Sequence, residues 1–255
     1  MIQTPAPAVF SRSTDACAIY RERFTPASGN LQFLSSGEFE LPPGARMQPL
    51  AFPGEEALLF SWKGTAHAHV DGQSYVLAEY DVLYIPAGRP WSLSNPASDT
   101  ARVWVTRAPA QNIHPVFHGR FAEISQDESR IRHLPKRNVY MMFDVSEGAD
   151  KLVAGYSFFE PECRSWPPHN HTDQEEVYIF LKGHGSMEVY ESPETLTFVH
   201  DVNEGDAVTI PFYNYHPVFA QEAPVVFIWC IAGARYWVGD KNKEFMKGTG
   251  GPITT

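Results

Sequence analysis

The sequence has few cysteines and no long apolar run. Its three cysteines, Cys17, Cys163 and Cys230, are far apart and form no C-x-x-C pair, which is typical of a protein kept in a reducing compartment. No apolar stretch approaches the roughly 20 residues of a membrane-spanning helix. The N-terminal residues also lack the basic and apolar regions of a signal peptide. We therefore expect a cytoplasmic protein that does not associate with membranes.

Positive charge is also in short supply. Lys and Arg number 20 against 30 Asp and Glu, which gives a formal net charge of −10. Non-specific nucleic-acid binding needs a basic surface, so we expect no nucleic-acid partner. A small anionic ligand remains compatible with this charge, because a few local Arg or Lys side chains are enough to bind it.

Long helical periodicity is scarce, and short runs of aromatic and β-branched residues recur between turn signals. The runs include ALLFSW, YVLAEYDVLYIP, ARVWVT, LVAGYSFF, EVYIFL and VVFIWCIAG. This spacing predicts an all-β fold built from barrels or sandwiches. Short helices are expected only near residues 122–131 and near the C-terminus.

The two halves of the chain repeat one pattern. Strand-like residues lead into Gly64 and into Gly183, a second strand follows each glycine, and a later strand ends at Pro86 or Pro211. Such self-similarity predicts two tandem barrels. We expect an N-terminal barrel over residues 1–115 and a C-terminal barrel over residues 116–255.

A cluster of metal-binding residue types lies in the second half. His169 and His171 are two residues apart, as on one face of a strand, and Glu176 follows after a short polar turn. A histidine, His216, ends a strand forty residues later. Three imidazoles and one carboxylate suit Mn²⁺, Zn²⁺, Fe²⁺ or Ni²⁺, so we predict one divalent ion with open coordination positions. Glu175 is the alternative acidic ligand.

The first half lacks these ligands. Counting from Gly64 as from Gly183 places Leu50, Phe52 and Ala57 at the first three ligand positions, and counting from Pro86 places Trp91 at the fourth. We therefore expect a degenerate N-terminal barrel without metal.

The spaced residues resemble the cupin motifs. His169, His171, Glu176 and Gly183 fit the first motif, and Gly205, Pro211 and His216 fit the second. Phe212, Tyr213 and Asn214 depart from the glycine that usually follows two residues after the proline. The resemblance implies two cupin barrels, which are double-stranded β-helices of jelly-roll type, with few short helices.

A finer resemblance covers the C-terminal half from residue 118 onward. The segments Pro167–His171 and Tyr215–Val218, with Ala232, Gly233, Arg235 and Trp237, resemble the 5-deoxy-glucuronate isomerase and 5-keto-4-deoxyuronate isomerase family of inositol and pectin catabolism. Only four residues, 172–175, separate the second histidine from Glu176, which is closer to the pectin branch. The resemblance implies a metal-dependent aldose–ketose isomerase for a uronic-acid-type sugar, with 5-deoxy-glucuronate or a related deoxyuronate as substrate.

This implied reaction needs a general base and a site for the substrate carboxylate. Glu188, His184 and Tyr213 are the candidate catalytic residues because they follow or flank the metal motifs. Arg235, Arg164, Lys182 and Tyr178 are the candidates for substrate binding. The sequence does not choose among them.

Two other functions remain open. The same ligand set would serve an Fe(II)-dependent cupin dioxygenase, and the many aromatic residues near the motifs would suit an apolar substrate. A non-catalytic sugar-binding bicupin is the third hypothesis. In each case we expect a homo-oligomer, a dimer or larger.

Overall fold

The regular secondary structure of the described residues is almost entirely β-strand. The structure is a computed structural model that describes residues 8–9 and 17–233. Within these ranges the helices α1 (Pro26–Gly29) and α2 (Phe121–Ile124) have four residues each, and a 3₁₀ turn spans Glu128–Arg130. No helix of the described ranges is long and apolar enough to cross a membrane. The prediction of an all-β fold with few short helices is confirmed, and the helix expected near the C-terminus lies outside the described residues.

The described residues form nineteen strands. The first ten are β1 (Ala8–Val9), β2 (Ile19–Phe24), β3 (Ser35–Leu41), β4 (Glu55–Lys63), β5 (Ala66–Val70), β6 (Gln73–Leu77), β7 (Val82–Ile85), β8 (Trp91–Ser94), β9 (Ala101–Pro109) and β10 (Phe117–Gly119). The remaining nine are β11 (Ile131–Leu134), β12 (Arg137–Phe143), β13 (Val153–Phe159), β14 (Gln174–Lys182), β15 (His184–Ser192), β16 (Thr195–Asn203), β17 (Ala207–Ile210), β18 (Val218–Ala220) and β19 (Val225–Gly233).

These strands belong to two structural units. The first unit comprises Met1–Gly29, Phe33–Glu123 and Val145–Leu152, and the second comprises Asn30–Gln32, Ile124–Asp144 and Val153–Thr255. In the first unit a seven-stranded sheet has the order β1-β2-β3-β9-β4-β7-β10, and a three-stranded sheet has the order β6-β5-β8. In the second unit the orders are β11-β12-β13-β19-β14-β17 and β16-β15-β18.

The central strands of the two units are equivalent in length and in position. β4 and β14 each have nine residues, and each pairs with two antiparallel neighbours. A glycine with positive φ follows each strand, with φ of +68° at Gly64 and +80° at Gly183. A Cβ atom on Gly183 would lie 2.0 Å from the carbonyl oxygen of Pro224, so this turn requires glycine for both space and conformation.

Each unit includes a short segment from the other half of the sequence, bound by a buried glutamate. In the first unit the carboxylate of Glu56 accepts hydrogen bonds from the backbone N–H groups of residues 150, 151 and 152, at 2.7–3.1 Å. In the second unit Glu175 Oε2 accepts one from the N–H of Gln32 at 2.6 Å. Glu175 therefore has a structural role, which explains why an acidic residue precedes Glu176.

The first unit is filled with apolar side chains at the four positions that correspond to the predicted metal ligands. Trp91 is 1% exposed and Ala57 is 2% exposed, and both belong to the core of this unit, against which Leu50 and Phe52 pack. The backbones of Leu50 and Trp91 exchange two hydrogen bonds of 2.8 Å. The Phe52 and Trp91 rings lie 5.9 Å apart. These four positions offer no metal-binding atom on their side chains.

Candidate metal centre and its cavity

The four predicted ligand side chains converge in the second unit. Within the described residues, the nitrogen and oxygen donors of His169, His171, Glu176 and His216 all lie within 4.8 Å of one another. The side chains of His171, Glu176 and His216 are at most 4% exposed, while His169 is half-buried. A buried, mixed group of imidazole nitrogens and a carboxylate oxygen has the chemistry of a transition-metal site.

The tautomer of His216 leaves a buried nitrogen that needs a cation. His216 Nδ1 lies 2.7 Å from the carbonyl oxygen of Asn214, and since a carbonyl only accepts, Nδ1 carries the proton. In the neutral imidazole, Nε2 then presents a lone pair. This atom is buried and makes no hydrogen bond, although Glu176 Oε2 lies 3.0 Å away. A lone pair facing a carboxylate oxygen is repulsive, so a positive charge is favoured beside both atoms, and either a proton on the imidazole or a metal ion supplies it.

The donor spacing fits one ion. Two ligand atoms that each lie about 2.1 Å from an ion, at right angles, are about 3.0 Å apart. His171 Nε2 and His216 Nε2 are each 3.0 Å from Glu176 Oε2. The residues present therefore fit a divalent metal.

The electrostatics of Glu176 favour its charged form. Burial alone would raise the pKa of this carboxyl group, but the neighbouring His171 and His216 imidazoles outweigh burial and lower its pKa to about 2. Glu176 is thus an anion at neutral pH, as a metal ligand must be.

The local backbone brings the ligands together from three segments. Glu176 is the third residue of β14, where it pairs with Ile210 and Ile231. Residues alternate across a strand, so the adjacent Glu175 faces the other way and binds Gln32.

The two histidines of the H-x-H pair precede β14 in a segment that belongs to no strand, contrary to the expectation that they lie on one. Pro167 and Pro168 before them have no N–H group and cannot extend a hydrogen-bonded ladder. The segment is instead held by backbone bonds from Tyr213 N to His171 O at 2.7 Å and from His216 N to His169 O at 3.3 Å.

A cavity that opens to the surface adjoins this cluster, and His169, His171 and Glu176 lie in its wall. The lining residues all belong to the second unit: Arg132, Leu134, Arg137, Val139, Ser157, Phe159, Ser165, Pro167, His169, His171, Glu176, Tyr178, Phe227, Trp229 and Ile231.

Of the residues predicted to bind substrate, Tyr178 lines this cavity. Its ring packs edge-on against His216 with centroids 5.7 Å apart, and its side chain is 7% exposed. Arg164 is not among the described lining residues. Its guanidinium forms an ion pair with Glu188, a candidate base, and lies 4.1 Å from the centroid of the Trp166 ring. This pairing satisfies both charges and leaves neither group directed to the cavity.

The other predicted residues lie away from the described lining or outside the described ranges. His184 Nε2 faces Gln221 at 3.0 Å, and Lys182 is exposed at the end of β14, six residues and roughly 20 Å of strand from Glu176. Tyr213 is 65% exposed. Arg235 lies outside the described residues, as does Trp237.

Tyr213 stands where the cupin motif usually has glycine, and its backbone adopts a conformation typical of glycine. Its φ is +69°, a conformation that glycine adopts freely and that other residues adopt at a cost. The turn from Pro211 to His216 thus keeps the shape of the motif, and this explains how the histidine reaches its position without the glycine.

Two arginines of the cavity, Arg132 and Arg137, were not identified from the sequence. They lie on the adjacent strands β11 and β12, next to a turn at residues 135–136. The signal that could have found them is the alternation in IRHL and RNV, which places Arg132 with Leu134 and Arg137 with Val139 on one face.

Comparison with known proteins relates the chain to sugar-acid enzymes. Residues 11–247 match the model of the KduI/IolB family. The chain is 25% identical over 169 residues to a 4-deoxy-L-threo-5-hexosulose-uronate ketol-isomerase of Opitutus terrae, covering 64% of this chain and 61% of that protein. A protein of the same name from Bacillus pumilus is 27% identical over 191 residues, covering 70% and 67%. The chain thus matches about two thirds of the length of these relatives.

The fold is shared with a solved structure. An IolB-like protein from Salmonella typhimurium superposes with a TM-score of 0.73 at 17% identity, covering 94% of this chain and 98% of that one. Structures of oxalate decarboxylase superpose with TM-scores near 0.68, and at 16% identity this likeness concerns the fold alone. Since the family match spans nearly all of the sequence, the chain belongs to the KduI/IolB family.

Proposed function

We propose that this protein is a metal-dependent aldose–ketose isomerase that acts on a deoxyuronate. One observation carries the proposal: three imidazoles and one ionised carboxylate converge beside a cavity that opens to the surface. Membership of a family whose curated relatives are named ketol-isomerases supports the reaction class.

The substrate proposed first is 4-deoxy-L-threo-5-hexosulose-uronate, and 5-deoxy-glucuronate is second. The relatives carry the first name, and the short spacer between His171 and Glu176 agrees with that branch. Both are sugar acids with a carbonyl group next to a hydroxyl-bearing carbon.

The proposed reaction assigns separate roles to the metal-binding residues and to the aromatic residues of the cavity. His169, His171, Glu176 and His216 would hold one Mn²⁺, Zn²⁺, Fe²⁺ or Ni²⁺ ion. When bound, such an ion supplies Lewis-acid polarisation of the substrate's carbonyl and hydroxyl oxygens. Phe227 and Trp229 form an apolar wall that limits water around the reacting carbons.

Tyr178 is the candidate for proton transfer that the geometry supports best. Apart from the four proposed ligands and the two arginines, it is the lining residue with a titratable side chain among those described. Its phenol can hold or move a proton at the substrate oxygen or carbon. Glu188 is bound to Arg164 and Tyr190 instead.

The test is turnover. Metal-loaded protein is incubated with each of the two deoxyuronates, and product sugars are followed by NMR while dissolved O₂ is recorded. The proposal expects isomerisation without O₂ uptake, together with loss of turnover on chelation. O₂ consumption would instead favour the dioxygenase hypothesis. The absence of turnover with both substrates by fully metallated protein would overturn the proposal.

A further inference from the structure

The inner face of the six-stranded sheet carries two different kinds of polar group. Glu176 lies on β14, while Arg132 and Arg137 lie on β11 and β12. Two strands, β19 and β13, separate β14 from β12. Neighbouring strands are about 4.8 Å apart, so Arg137 on β12 begins about 14 Å from β14 across the sheet, and Arg132 on β11 about 19 Å. In the strand direction Arg137 is level with Phe159 and Val225, whereas Glu176 is level with Ile231, so the cavity runs diagonally across this face. The span between is lined by Phe159, Phe227 and Trp229.

The register directs both arginines to the cavity. Arg132 pairs with Val139, and Leu134 pairs with Arg137, and all four residues line the cavity. Arg132 and Arg137 are therefore diagonal neighbours on one face, at a separation of about 7–8 Å that two long side chains can close around one anion.

The guanidinium of Arg137 has contacts with a backbone carbonyl and an aromatic ring but with no described carboxylate. Its guanidinium donates to the carbonyl oxygen of Arg164 at 2.8 Å and lies 5.5 Å from the Phe159 ring centroid. Among the described residues it forms no ion pair with a carboxylate, whereas Arg164 is paired with Glu188. A half-buried cation beside an apolar wall, with donor N–H groups to spare, is suited to an anionic ligand.

We propose that Arg137, assisted by Arg132, binds the carboxylate of the sugar acid and so selects acids over neutral sugars. The inference rests on the proposed function, because it requires the reacting carbons to lie at the four-ligand cluster. A sugar acid with its carbonyl and carboxylate at opposite ends of a six-carbon chain would then extend from the cluster, across the aromatic wall, to the arginines.

Binding tests this directly. D-galacturonate and D-galactose differ only at the carbon that is a carboxylate in one and a hydroxymethyl group in the other. Calorimetric titration of metal-loaded protein with each sugar gives a selectivity ratio that needs no turnover. We expect a ratio of at least about tenfold in the wild type, as for a charge-assisted bidentate contact.

The variants assign this selectivity to residues. Arg137→Gln should reduce the ratio to near one, Arg132→Gln should reduce it in part, and Arg137→Lys should retain more than Arg137→Gln because it keeps the charge. Arg120→Gln is the matched control, since Arg120 is exposed and paired with Glu123, and it should leave the ratio unchanged. Galactose affinity should stay constant in all variants, which verifies that the cavity is intact.

The outcomes separate the inference from the reaction. A ratio near one in the wild type, or an unchanged ratio in both Arg137→Gln and Arg132→Gln, overturns the carboxylate site even if deoxyuronates are isomerised. A ratio that collapses in Arg137→Gln upholds the carboxylate site even if neither deoxyuronate is turned over. If thermal unfolding shows that Arg137→Gln is not folded, the selectivity ratios of Arg132→Gln and Arg137→Lys test the carboxylate site instead.

Discussion

Replacing Glu176 by glutamine should abolish the stabilisation of the protein by divalent metal. The substitution keeps the shape of the side chain but removes the one negative charge among the proposed ligands, which in the wild type faces two imidazole nitrogens at 3.0 Å. A metal that binds only the folded state stabilises it by RT ln(1 + [M]/Kd), which is about 2.7 kcal/mol at a metal concentration of 100 Kd.

This stabilisation corresponds to a measurable rise in the melting temperature. At roughly 3 °C per kcal/mol, the wild-type melting temperature should rise by about 8 °C between EDTA and saturating metal. If the loss of the carboxylate weakens metal binding about 100-fold, the same metal concentration gives only about 0.4 kcal/mol and a shift of about 1 °C. The assay is thermal unfolding by circular dichroism or fluorescence, with and without metal.

Glu175→Gln is the matched control on the neighbouring residue. Glu175 is fully buried and accepts the N–H of Gln32 at 2.6 Å, so losing its charge should lower the metal-free stability by about 1–2 kcal/mol. Its metal-induced shift should remain near 8 °C. If Glu176→Gln retained the full shift while Glu175→Gln lost it, the ligand assignment would be wrong.

Three further predictions concern the backbone and the first unit. Tyr213→Gly should raise stability by about 1 kcal/mol in chemical denaturation, because φ of +69° is strained for tyrosine and the side chain is 65% exposed. Gly155→Ala should lower it by about 2 kcal/mol or more and reduce soluble yield, since a Cβ atom there would lie 2.7 Å from the Trp229 ring and 1.9 Å from a backbone oxygen. Burial would raise the pKa of Asp150, but hydrogen bonds from His114 and two backbone amides hold it well below its usual value. Because its pKa is lower in the folded protein than in the unfolded chain, ionised Asp150 stabilises the fold above the unfolded pKa, and this stabilisation is lost as the pH falls below about 4. Asp150→Asn should therefore make the free energy of unfolding less dependent on pH below about 4. An unchanged pH dependence in the variant would contradict this.

Local spacing was sufficient to predict the four side chains that the structure brings together and the duplicated β-fold. His169 and His171 are two residues apart, and the distance from Glu176 to the turn glycine Gly183 distinguishes it from Glu175. Glu175 is buried on the opposite side of the same strand, where it binds a backbone amide. The same counting located the apolar replacements in the first unit, because equivalent turns keep equivalent offsets.

Positions that depend on the folded sheet could not be read from the chain. Lys182 is close to the metal motifs in sequence, but a strand rises about 3.3 Å per residue, so it lies roughly 20 Å along β14 from Glu176. His184 and Glu188 lie beyond the Gly183 turn on β15, where their side chains contact Gln221 and Arg164. Arg132 and Arg137 are distant in sequence and reach the cavity only through the pairing of β12 with β13 and β13 with β19. The alternation of side chains along these two strands is visible in the sequence, but the sequence does not show which side of the sheet faces the cavity.

The most direct test of the account is metal stoichiometry with the site located in the crystal. Protein loaded with Mn²⁺ or Zn²⁺ and then dialysed should contain one ion per chain by elemental analysis. Anomalous diffraction should place that ion about 2.0–2.2 Å from the nitrogens of His169, His171 and His216 and from an oxygen of Glu176. A substoichiometric ion content in the wild type under excess Mn²⁺, Zn²⁺, Fe²⁺ and Ni²⁺, or an ion bound elsewhere, would contradict the central claim.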